Sequence, residues 1–113
     1  MPVLSPLHEK KPYEVQFNAD RGGSPDDKYI VMTGWVPKGG PKKLPPDTDD
    51  ELAPGEFCRE NDTAPAFADA WRLRIMVLVP HPSGSGTLVV TQDDSHQTVS
   101  VTDDTNFLVP LAP

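Results

Sequence analysis

The sequence predicts an all-β protein, an antiparallel β-sandwich or small open barrel of about six strands with room for one short helix and a long proline-rich loop. Three observations carry this. Apolar residues recur at period two in several short runs, and those runs are separated by clusters of Gly, Pro, Asp and Ser. Fourteen prolines and eight glycines in 113 residues enlarge the share of connecting chain. No long segment keeps a helical period. The length suits a single domain, residues 1–113, with one modest core.

Residues 1–12 carry Pro2, Pro6 and Pro12 and read as an extended arm lying along a sheet edge. Tyr13, Val15 and Phe17 then alternate with polar residues, which predicts a half-buried strand over 13–18. The turn formers of 18–27 make a long hairpin loop. Lys28 to Val36 is a second strand, apolar on both faces. Gly34 within it marks a bulge or a close backbone approach beside Trp35.

Between Pro37 and Thr63 no period survives the prolines, the Gly39-Gly40 pair and the acidic run Asp47 to Glu51. The expectation is an irregular loop over 37–63, pinned to the body by Leu52, Phe57 and Cys58. Thr63 to Ala70 can form one or two helical turns with Thr63 as N-cap.

Trp71 to Val79 is the longest apolar segment, and the rest of the chain is organised around it. Trp71, Leu73, Ile75, Val77 and Val79 share one face; the other begins with Arg72 and Arg74 and ends with Met76 and Leu78. Such a strand is wet on one face at its start and covered on both at its end. The downstream runs 87–92, 97–102 and 106–109 pair with it as a hairpin meander. Val99 and Val101 point inward. Thr87 to Asp94 and Thr98 to Asp104 look alike, as two strands each followed by an acidic turn would.

The net charge of −7 argues against a protein that grips a nucleic-acid backbone, which needs clustered Lys and Arg. All ten Lys and Arg residues lie at or before Arg74, and beyond it the formal charges are Asp93, Asp94, Asp103 and Asp104. That acidic half either draws a basic partner or simply keeps strand ends from aggregating. The single cysteine permits no intrachain disulfide. The N-terminal residues hold no apolar stretch of signal-peptide length, and the run Ile75 to Val79 is far too short to span a bilayer. Cytoplasmic residence is the expectation, with no membrane partner. Asn61-Asp62-Thr63 fits the glycosylation pattern, which is coincidental without a secretory signal.

Alternating strand direction decides which polar residues can meet. A strand of six residues puts Asp93, Asp94 and His96 about 20 Å from His81, and the next strand returns Asp103 and Asp104 to the His81 end. His81 and His96 therefore cannot share an ion. Asp93, Asp94 and His96, with Asp69 alongside, form one candidate divalent-metal site. His81 with Asp103 and Asp104 forms another. Turns in which Asp bonds nearby backbone N–H groups account for either cluster without a metal.

Other motifs fail. Asp47, Asp49 and Glu51 resemble the start of a calcium loop, but Leu52 and Cys58 stand where Gly and Glu are needed. Gly34 to Gly39 is followed by Gly40, so the phosphate-binding lysine is missing. Gly84-Ser85-Gly86 lacks the spacing of a nucleophile elbow. Cys58 with His8, His81 or His96 makes a nucleophile and base only if the fold brings them together.

Aromatic residues are the better functional hint. Trp35 ends one strand, Trp71 begins another and Phe57 lies in the loop between, three candidate binding residues for a sugar or a partner protein. Capping of a small core is the alternative role for such tryptophans. The reading that follows is a small, acidic, non-catalytic binding module with no resident cofactor. Its contact surface is the 37–63 loop and the tryptophan-flanked end, and its partner a protein, small molecule or sugar. Two other classes stand beside it: a metal-binding or metal-dependent enzyme domain at Asp93–His96, and a self-assembling structural subunit, which the state in solution, monomer or homo-oligomer, distinguishes.

Overall fold

The computed structural model describes residues 4–37 and 48–113. Its strands are β1 (Leu7–His8), β2 (Pro12–Ala19), β3 (Tyr29–Pro37), β4 (Thr48–Leu52), β5 (Phe57–Thr63), β6 (Trp71–Leu78), β7 (Gly86–Gln92), β8 (Ser95–Val101), β9 (Thr105–Val109) and β10 (Leu111–Ala112). Two antiparallel four-stranded sheets form a β-sandwich, in the orders β5-β2-β7-β8 and β4-β3-β6-β9. No closed barrel forms. Among the described residues no helix is long and apolar enough to cross a membrane.

The period-two faces meet between the sheets. Tyr13, Val15 and Phe17 of β2 and Leu88 and Val90 of β7 lie against Val31 of β3 and Leu73, Ile75 and Val77 of β6. Phe17, Leu73, Ile75, Val77 and Leu88 have no measurable exposure. β6 is central, flanked by β3 and β9. Arg74 stands opposite Gly34 and Leu108 and is buried, so the wet start expected for this strand holds only in part, with Arg72 half-buried. Gly34 makes no bulge against β6, because the register runs unbroken from Ile30↔Leu78 to Pro37↔Trp71.

Four expectations need correction. The downstream strands are not a meander on β6. β7 pairs with β2 and β8 in the opposite sheet, and only β9 returns to β6. Both edges of β6 are taken, and the segment from Val79 to Ser85 is long enough to cross the ~10 Å between layers. The residues between β2 and β3 likewise cross between sheets instead of closing a hairpin.

The 37–63 loop contains two strands, β4 and β5, while residues 38–47 lie outside the described residues. These are edge strands. Their inward positions, read from the register with Val31, Val15 and Tyr13, hold Asp50, Glu60 and Asp62, which hides the apolar alternation. Inward charge on an edge strand also discourages pairing with other chains.

Thr63 is not an N-cap. The chain stays extended past it, with Ala64 N–H donating to Lys11 O (2.9 Å) and Lys10 N–H to Ala64 O (2.9 Å). Only a 3-10 turn forms, Phe67–Asp69, ended by Ala70 in the left-handed region at φ 56°.

The two open sides of the sandwich are closed differently. On the β8/β9 side the N-terminal arm seals the core: β1 pairs in parallel with β10, and Leu4, Leu7 and Leu111 are buried. Buried Gln92 grips the arm, accepting from His8 N–H (2.6 Å) and donating to His8 O (2.9 Å). Gln97 does the same for Ser5, accepting from its N–H at 2.6 Å. The β4/β5 side has no such plug among the described residues, and there carboxyl groups face each other.

Candidate functional site

The β3–β6 register brings the two tryptophans together. Trp35 lies opposite Leu73, and Trp71, two residues earlier on the same face, lies opposite Pro37. Both sit where the inner faces of the sheets run out at one end of the sandwich. Across from them the end of β5 continues into Pro65. The result is an open groove of about 410 Å³ lined by Trp35, Asp62, Thr63, Pro65 and Trp71. It continues inward as a narrower cleft, about 60 Å³, between Tyr13, Thr33, Trp35, Glu60, Asp62 and Leu73.

Trp35 is held in place. Its indole N–H donates to Tyr13 Oη at 3.0 Å, and the two rings meet edge to face with centroids 5.7 Å apart. Trp71 is half-buried and forms the wall between this groove and a second, more apolar trough of about 380 Å³. That trough runs past Phe67, Ala68, Ala70, Pro110 and Leu111, with Arg72 at its side. Phe67 is exposed, so the apolar surface reaches solvent.

The carboxyl groups beside the groove are not ordinary ones. Asp50 Oδ2 is sealed from solvent and finds no hydrogen-bond donor among the described residues. The Glu60 carboxyl lies against that of Asp50. Two ionised carboxylates have only acceptors to offer each other, which favours a proton on Glu60. That contact, with burial and the Asp50 charge, raises Glu60 from 4.5 to about 7. Cys58, also inward on β5, is pushed up to about 11 by burial first and then by Asp50. A thiol held protonated in this way is a poor nucleophile, and Cys58 lies on a strand against the core rather than in a loop.

Phe57 is not part of the groove. It sits at the other end of β5, about 20 Å along the strand from Thr63. It pairs with Asn18, and Arg59 stacks over its exposed ring at 5.6 Å from the centroid. The groove residues missed from sequence are Asp62, Thr63 and Pro65, together with the Tyr13 partner of Trp35. Only the position of Asp62 and Thr63 on an unrecognised strand could have flagged them.

Of the two carboxylate–histidine groups, the structure brings together His81, Asp103 and Asp104. His81 Nε2 is 3.4 Å from Asp104 Oδ1 and 3.8 Å from Asp103 Oδ1, and one ligand atom from each residue falls within 4.8 Å of the others. All three are exposed. Asp104 Oδ1 accepts Val79 N–H (2.9 Å), and this bond, with His81, holds its carboxyl below the usual carboxylate range. Asp93, Asp94 and His96 do not converge in that way. Gln92 pairs with Ser95, leaving Asp93 and Asp94 as a two-residue hairpin turn. Asp93 takes φ 53°, which Asp tolerates, and its carboxylate pairs with Lys11 at 3.0 Å. His96 lies opposite Thr91, and Asp69 belongs to the 3-10 turn.

Comparison with protein-family models, with curated proteins and with solved structures finds no match. Function has to be read from the groove itself.

Proposed function

We propose that this chain is a non-catalytic binding module whose ligand site is the Trp35–Trp71 groove. The observation that carries it is that two tryptophans from different strands line one open depression, with Trp71 also walling the trough beside it. Tryptophans needed only to cap a core would be packed into it; Trp71 remains half-exposed and outside the buried cluster. An aromatic wall between two depressions offers large contact area at low entropic cost, the usual character of an interface anchor. Selection of a random peptide library on the immobilised protein tests this. Enriched peptides are expected to bind the wild type and the Phe57→Ala variant and to lose binding on Trp71→Ala. Trp71→Phe, the conservative change, is expected to retain part of it. Peptides indifferent to Trp71 would refute the reading.

A second reading rests on the His81–Asp103–Asp104 convergence: an imidazole and two carboxylates at this spacing can take a divalent ion. Titration with Zn²⁺ followed by the His81 imidazole resonances checks it. Saturable shifts lost on Asp104→Asn support it, and unchanged resonances at millimolar ion dispose of it.

A further inference from the structure

Resting on the reading of the groove as a binding site, we propose that it takes an arginine or lysine side chain presented by an extended segment of a partner protein. The polar lining of the groove is one-sided. Among the described residues Glu60 and Asp62 are the charged residues along it, and no Lys, Arg or His lines either compartment. β5 places both carboxyls there by its register, since Glu60 opposes Val15 and Asp62 opposes Tyr13 on the inward face. Behind Glu60 stands Asp50, whose Oδ2 has no donor among the described residues.

Carboxyl groups crowded in this way repel one another, and in the free protein a proton relieves that repulsion. A guanidinium or ammonium entering the groove supplies what is missing: positive charge, and N–H donors that make charge-assisted hydrogen bonds. The aromatic walls act in the same direction, because an indole face attracts a cation more strongly than any other side-chain ring. Edge protection explains inward carboxylates on β5. It does not explain why tryptophans line the same cavity. The net charge of −7 adds long-range attraction for a basic partner.

A polypeptide fits better than a free amine because the cation site has an apolar neighbour. On the other side of the Trp71 wall lies the apolar trough of Phe67, Ala68, Pro110 and Leu111, with Arg72 at its side, where an apolar residue next to the arginine or lysine can rest.

The test is a titration of ¹⁵N-labelled protein followed by the indole N–H signals of Trp35 and Trp71. The probes are a five-residue peptide with arginine flanked by leucines, the same peptide with glutamine at its centre, and spermidine. The arginine peptide is expected to move both indole signals and to bind about tenfold more tightly than the glutamine peptide. Asp62→Asn is expected to erase that preference. Asp26→Asn, an equal loss of charge at an exposed loop between β2 and β3, is expected to preserve it. Equal binding of the two peptides would keep the groove as a site and overturn its preference for cations. Equal binding of spermidine would overturn the polypeptide partner. An effect of Asp26→Asn as large as that of Asp62→Asn would reduce the attraction to bulk charge and overturn the proposal. If none of the probes moved either indole, the proposal would fall; if library-selected peptides also proved indifferent to Trp71, the underlying reading would fall with it.

Discussion

Deprotonating Glu60 beside Asp50 should loosen the β4/β5 side of the sandwich, by an amount set by the displacement of the Glu60 carboxyl. Glu60 is raised from 4.5 to about 7, chiefly by its close contact with the Asp50 carboxyl. Between those two values the folded chain holds a proton that the unfolded chain has released. Stability from this contact is therefore full below pH 4.5 and lost as pH rises through 7. Undamped, the displacement would correspond to about 3 kcal/mol. Glu60 is only half-buried, and solvent screening cuts this to about 1 kcal/mol. For a domain of this size that is a fall in Tm of roughly 4–8 °C between pH 5 and pH 8. Calorimetric melting across that interval measures it. Glu60→Gln, which keeps an N–H donor toward Asp50 at every pH, should flatten the slope. Asp104 does not interfere, because its depressed carboxyl contributes stability that is lost only on acidification below the usual carboxylate range. A wild-type Tm that is level or rises from pH 5 to pH 8 would refute the raised Glu60 carboxyl. So would a slope that survives in Glu60→Gln.

Other predictions follow from the packing. Gly86→Ala should cost about 2–3 kcal/mol, because the new Cβ would meet the Phe17 ring and lie 2.6 Å from Asn18 O; denaturant melts measure it. Gln92→Leu should strip the His8 N–H of its acceptor, cost about 1–3 kcal/mol and raise amide exchange at Leu7 to Glu9 ahead of β2. Cys58 should react with iodoacetamide at pH 8 far more slowly than free cysteine, and denaturation should abolish the difference.

Where the core is apolar the fold is legible from sequence. Tyr13, Val15 and Phe17 declare their face, as do Leu73, Ile75 and Val77, and these become the facing walls of the sandwich. Alternation identifies a face but not a sheet, so β7 can be recognised as a strand while its pairing with β2 rather than β6 cannot. β4 and β5 escape recognition because Asp50, Glu60 and Asp62 occupy positions that apolar residues would normally hold. The meeting of His81 with Asp103 and Asp104 is legible for a simple reason: strand direction reverses at each turn whichever sheet the strand joins. Trp35 and Trp71 are recognisable as candidates one at a time. Their shared groove depends on the register of β3 with β6 and on β5, and Phe57 is grouped with them only until β5 is seen to carry it away.

Photo-crosslinking from the groove tests the account most directly. Benzoylphenylalanine would be placed at position 63, which lines the groove beside an intact Trp71, in one protein and at position 57 in another, and each irradiated with a library-selected or arginine-bearing peptide. The account predicts adducts from position 63 and none from position 57. Adducts from position 57 alone, or none from position 63 under saturating peptide, would contradict it.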